Sequence, residues 1–149
     1  MKFEFTKTNG LVIKIKQMAA VPYHNLFEMI LACKEGHLAA TIAGTYNIPK
    51  TIIENGNVVE TIVPLDSLSK EEQEQSKISR ITVLLGQDLE SKRKIHDLIF
   101  QVSSVEIDGV TKQLNIGDFN PSFKDPHELY IYIAKALIFF FYKGFKAIS

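Results

Sequence analysis

Alternation with a period of two opens the chain. Phe3 and Phe5 flank Glu4, and after Asn9-Gly10 the run Leu11-Val12-Ile13-Lys14-Ile15-Lys16 alternates again. A strand is predicted on each side of this turn. A two-residue loop would set Phe5 opposite Lys14 and mix the faces. A three-residue loop, Thr8-Asn9-Gly10, sets Phe5 opposite Ile13, Phe3 opposite Ile15 and Glu4 opposite Lys14, giving one apolar face and one charge-paired face. Gly10 then takes the left-handed position of the bulge. Two further turns carry the same signal. Asn55-Gly56 lies between Thr51-Ile52-Ile53 and Val58 to Val63. Asp108-Gly109 lies between Val105-Glu106-Ile107 and an arm from Val110 to Ile116, and Pro64 and Pro121 end the outgoing arms. The third hairpin is the clearer of these two, because Gly44, Asn47 and Pro49 make the approach to the second irregular and suit a mobile flap.

Between the turns the apolar spacing changes to three and four. Pro22 to about Glu35 carries Leu26, Met29, Ile30 and Cys33 at helical intervals, with Gly36 as C-cap. Ser67 to Leu85 opens on a capping box, Ser69-Lys70-Glu71-Glu72. Its first half is polar, and Ile78, Ile81, Val83, Leu84 and Leu85 come late. Leu89 to Val102 sets Leu89, Ile95, Leu98, Ile99 and Val102 against Lys92-Arg93-Lys94, and Gly86-Gln87-Asp88 separates it from its predecessor. The fold class predicted is α+β: short antiparallel β-hairpins, several helices and a long apolar C-terminal helix, in a single domain over residues 1–149.

The last helix is the least ordinary element. Asp125 reads as its N-cap, Pro126 as its first residue and Glu128 as the closing member of a capping box. From Leu129 to Tyr142, Lys135 is the only charge. A helix apolar on every side is covered by protein or by lipid. A span needs about 20 apolar residues, and Lys135, Lys143 and Lys146 leave too short a run, so a membrane anchor is disfavoured. At 100° per residue, Tyr130, Ala134, Leu137, Ile138, Phe141 and Phe145 share one side, while Leu129, Ile133, Ala136 and Phe140 share another. Two apolar stripes allow one to pack on the domain and the other to dock on a partner or a second copy. The expected docking set is Tyr130, Ala134, Leu137, Phe140, Phe141 and Phe145. A central core helix wrapped entirely by its own domain is the competing reading.

Charge and chemistry narrow the function. Lysine plus arginine and aspartate plus glutamate number 17 each, so the formal charge is zero and there is no electrostatic footprint for nucleic acid. A neutral chain has weak repulsion between copies, which suits association and a homo-oligomer. One cysteine, Cys33, excludes an internal disulfide and reads as a small core residue. The start of the chain lacks a signal-peptide run, which points to the cytoplasm. His24, His37, His96 and His127 are scattered, each read as a surface or cap residue. His96-Asp97 cannot form a dyad, since adjacent helical residues diverge. No Gly-x-Ser-x-Gly elbow, phosphate loop or metal-ligand spacing occurs. The expectation is a protein that is not an enzyme and that needs no cofactor or metal.

Val105-Glu106-Ile107-Asp108-Gly109, then Leu114-Asn115-Ile116-Gly117-Asp118-Phe119, then Asp125-Pro126-His127-Glu128-Leu129 and Ile133-Ala134-Lys135-Ala136-Leu137 resemble the C-terminal half of tail assembly chaperones of long-tailed bacteriophages. The opening hairpin and the helix after it look like theirs too. The chain departs from that pattern at Asn55-Gly56 and at its aromatic end, Phe139-Phe140-Phe141-Tyr142. The resemblance implies a non-enzymatic protein of the host cytoplasm that binds the tape-measure protein and recruits tail-tube subunits. The alternative is a structural tail or baseplate component, or another protein-protein interaction module such as a host-cell interaction domain. A membrane-attached protein or an enzyme stands further off.

Overall fold

A computed structural model describes residues 2–119 and 128–149. The elements run β1 (Phe3–Thr6), β2 (Val12–Ile15), α1 (Ala20–Ala32), α2 (His37–Ala43), β3 (Asn47–Glu54), β4 (Asn57–Pro64), α3 (Lys70–Gly86), α4 (Leu89–Val102), β5 (Ser104–Ile107), β6 (Val110–Gln113) and α5 (Glu128–Ile148). The architecture is α+β. One antiparallel sheet has the order β1-β2-β5-β6, and β3 and β4 form a second sheet of two strands.

The first hairpin adopts the predicted register, with Phe3 paired to Ile15, Glu4 to Lys14 and Phe5 to Ile13. Ile13 and Ile15 are fully buried on the apolar face. Gly10 sits at φ +89°, and its N–H donates to the Lys7 carbonyl, closing the three-residue loop. Ser69 caps α3 as expected: its Oγ accepts from the Glu72 N–H at 3.2 Å and donates to the Glu72 carboxylate at 2.8 Å. Asp88 caps α4 by accepting from the Ser91 N–H. The proposed cap of α5 at Asp125 and Pro126 lies outside the described residues.

Three elements differ from expectation. The first helix ends at Ala32 rather than about Glu35. Lys34 and Glu35 then take left-handed φ values of 50° and 56°, and Gly36 at 88° begins a second helix. This turn, α2 and its buried Leu38, Ala39, Thr41, Ile42 and Ala43 were missed because seven residues are too short for a periodic signal. The arm after Asp108-Gly109 stops at Gln113 rather than Ile116 and gives way to a 3-10 turn, Ile116–Phe119. The second hairpin is the longest of the three, with eight residues in each strand, and Pro49 lies inside β3.

α5 is the axis of the core. Tyr132, Ile133, Ala134, Ala136, Leu137, Phe141 and Phe145 are all buried. Phe3 and Phe5 of β1 close on Tyr132, with ring centroids 6.1 and 5.4 Å away. From α1, Tyr23 stacks on Phe141 at 4.7 Å and Phe27 on Phe145 at 4.5 Å. Helices α2, α3 and α4 pack along the remaining sides. Such aromatic pairs add about 0.5–1.5 kcal/mol each beyond the area they bury. Among the described residues no helix is long and apolar enough to cross a membrane.

Candidate functional site

The wrapping of α5 reassigns its faces. Ala134, Leu137, Phe141 and Phe145, four of the six residues expected to meet a partner, are closed off inside the domain. The side that remains open carries Ile131, Lys135, Ile138, Phe139 and Tyr142 at helical spacing, and of these Ile138 alone belongs to a predicted stripe. Phe139 and Tyr142 are each 39% exposed, large aromatic rings left partly in water at the end of the helix. Phe140 is half-buried, edge-on to Phe3 and Phe139, and Tyr130 is half-buried against α4.

This open side faces the polar start of α3 across a cleft of about 580 Å³. Ile138, Phe139, Phe140 and Tyr142 form its apolar floor, and Lys70, Gln73, Glu74 and Lys77 its α3 wall, with Lys143 at the rim. Those α3 residues are three and four apart, so one helical face supplies them all. The charge is lopsided, with Lys70, Lys77 and Lys143 against Glu74 alone. Lys77 is buried, its ammonium 4.4 Å above the Tyr142 ring centroid. Burial pulls its pKa below the ordinary lysine value, Lys146 adds to the effect, and Glu74 opposes it. Gly44 makes this position accessible: a Cβ there would stand 3.1 Å from Lys77 Cε. Glu71, Glu72 and Glu74 at the start of α3 are exposed, while Lys77 one turn on is turned inward.

A second cavity, about 600 Å³, lies between α4, the end of β6 and the start of α5. Lys92 reaches across it to Tyr130, with the ammonium 4.7 Å above the ring and 3.4 Å from the hydroxyl. His96 lines this cavity and is buried, with Nε2 lacking a hydrogen-bond partner among the described residues, which corrects its reading as a surface or cap residue. Burial is the main cause holding its pKa down to about 4, with Lys92 adding to it and Asp97 opposing. The imidazole is neutral at pH 7. His24 and His37 are exposed, as expected, and His127 lies outside the described residues. Deeper still, Ser103 joins the Tyr132 hydroxyl to the Ile99 carbonyl, and burial pushes the Tyr132 phenol well above its usual pKa. That network closes a core polar pair, and none of its residues lines either of the two cavities above. Among the described residues no group of three histidine, cysteine or acidic side chains is placed to hold a metal. Cys33 is buried, and burial raises its thiol pKa, as its reading as a core residue requires.

Comparison with known protein families, curated proteins and solved structures finds no match. The two cavities and the exposed ribbon of β3 and β4 are thus the features from which function has to be argued.

Proposed function

We propose that this chain is a non-enzymatic phage tail or baseplate assembly protein of the chaperone kind. In this reading the cleft between α3 and α5 holds an amphipathic helix with acidic flanks. The cleft carries the proposal. Phe139 and Tyr142 offer exposed aromatic surface, and the three lysines around them complement acidic residues beside an apolar stripe. The resemblance to tail assembly chaperones supplies the class of partner: a long helical tape-measure protein whose apolar faces need cover until tail-tube subunits replace the chaperone. Work in the host cytoplasm belongs to the same proposal.

The test uses a synthetic helix of about five turns with leucines at positions i and i+4 and glutamates beside them, labelled for fluorescence anisotropy. Binding that weakens with salt is expected, and Tyr142→Asp should reduce affinity at least about tenfold, a change of roughly 1.4 kcal/mol. Equal binding by the variant would overturn the assignment of the cleft. Co-expression with the tape-measure reading frame should keep that protein soluble. Recovery of the chain from finished particles would instead identify a structural tail component.

A further inference from the structure

The β3–β4 ribbon stands apart from the core: neither strand packs extensively on any element but the other. Its turn is a two-residue loop, Asn55-Gly56, with φ values of 52° and 78° as a type I′ turn requires. In such a hairpin the flanking residues, here Glu54 and Asn57, exchange both hydrogen bonds, and bonded and non-bonded pairs then alternate. The Leu65 N–H donating to the Tyr46 carbonyl at 3.0 Å, where the ribbon joins the domain, keeps the same alternation. It follows that Val58, Glu60 and Ile62 direct their N–H and C=O groups away from β3. On the opposite edge the outward positions are Asn47, Pro49, Thr51 and Ile53, and Pro49 among them has no N–H to offer. Proline thus interrupts the β3 edge in mid-strand, whereas on β4 the outward proline is Pro64, the last residue, and the edge is open from Val58 to Ile62.

The ribbon is also apolar where a solitary hairpin is normally polar. Ile53, Val58 and Ile62 are 80, 75 and 71% exposed and share one face. A two-stranded ribbon is marginal in water by itself and gains from a third strand, and an open, apolar edge is a template for one. We infer that the β4 edge pairs antiparallel with β4 of a second copy, making a four-stranded sheet across a two-fold axis. A second copy is favoured because the strand is complementary to itself in one register. With Thr61 on the axis, Thr61 faces Thr61 and Val59 faces Val63 on one side of the sheet. On the other side Glu60 faces Ile62, which avoids the opposition of two Glu60 carboxylates that a Glu60-centred register imposes. Both chains have zero formal charge, so no net repulsion opposes the pairing. This assignment rests on the ribbon alone and survives loss of the helix-binding reading.

Light scattering on the full chain should give twice the chain mass at micromolar concentration. In the proposed register Thr61 makes a non-hydrogen-bonded pair with its copy, with Cα atoms about 4.5 Å apart, close enough for a disulfide. Thr61→Cys should therefore cross-link on oxidation, while Val58→Cys, six residues out of register, should not. Buried Cys33 does not compete. Glu60→Pro removes an outward N–H and spares the bonds within the ribbon, so it should give a monomer with unchanged helical circular dichroism. A monomeric parent, a dimer in which Thr61→Cys fails to bridge, or a Glu60→Pro variant that stays dimeric would each overturn the inference.

Discussion

The Thr8 backbone N–H and hydroxyl both donate to Oε1 of Glu128, at 2.5 and 3.2 Å, fastening the first β-turn to the first turn of α5 across 120 residues of sequence. Glu128 is buried, and the cap at Asp125 that it is expected to close lies outside the described residues. Nearby, the Lys7 ammonium donates to the Asp118 carbonyl, so the same hairpin loop also holds the end of the 3-10 turn. Two local signals, a turn and a helix start, thus meet as one long-range contact.

Removing that carboxylate leaves the Thr8 N–H without its acceptor. Glu128→Ala should cost about 1–3 kcal/mol, read as a lower urea midpoint with an unchanged slope. Glu128→Gln, whose amide oxygen still accepts, should lose less than Glu128→Ala. Equal stability of all three proteins would show that the tie contributes nothing.

The two sides of α5 should separate cleanly under truncation. Phe141 is buried and stacked on Tyr23, so Phe141→Ala should cost about 3–5 kcal/mol. Phe139 lies four-tenths in water, and Phe139→Ala should cost clearly less. Thermal unfolding of the pair checks this, and similar losses would refute the assignment of faces.

His96 makes stability depend on pH in a known direction. Its folded pKa of about 4 lies below the ordinary value of 6.5, so between those two pH values the unfolded chain binds a proton that the folded chain refuses. Its contribution is complete above pH 6.5 and falls away as pH drops toward 4, by about 3 kcal/mol in all. His96→Phe should flatten the stability curve across that window. A curve of unchanged slope would show that the imidazole is not buried neutral.

Much of the fold was legible because its signals are local. The Asn9-Gly10 register followed from matching Phe3 and Phe5 to Ile15 and Ile13, the start of α3 followed from the capping box at Ser69, and the break before α4 from Gly86-Gln87-Asp88. The burial of α5 was less legible. Sequence periodicity places residues on sides of a helix but does not say which side the rest of the chain covers. Tyr23 and Phe27, which cover Phe141 and Phe145, lie more than 100 residues away. α2 was hidden for a different reason: its seven residues are too few for a periodic signal, and Gly36 before it reads as the end of α1. The candidate cleft escaped because its lysine wall looks like an ordinary solvated helix face until Gly44 is seen to admit Lys77.

The helix on which α2, α3, α4 and β1 all rest is the last of these elements in chain order. During synthesis the residues through Phe119 leave the ribosome before the helix that covers them exists. Phe3, Ile13, Ile30 and Ile99 then have no finished core to enter, and the nascent chain carries its sticky surfaces until residue 128 and beyond have been added. Folding of this domain therefore waits on the synthesis of α5, and any stall upstream of it leaves a chain fit for aggregation or degradation.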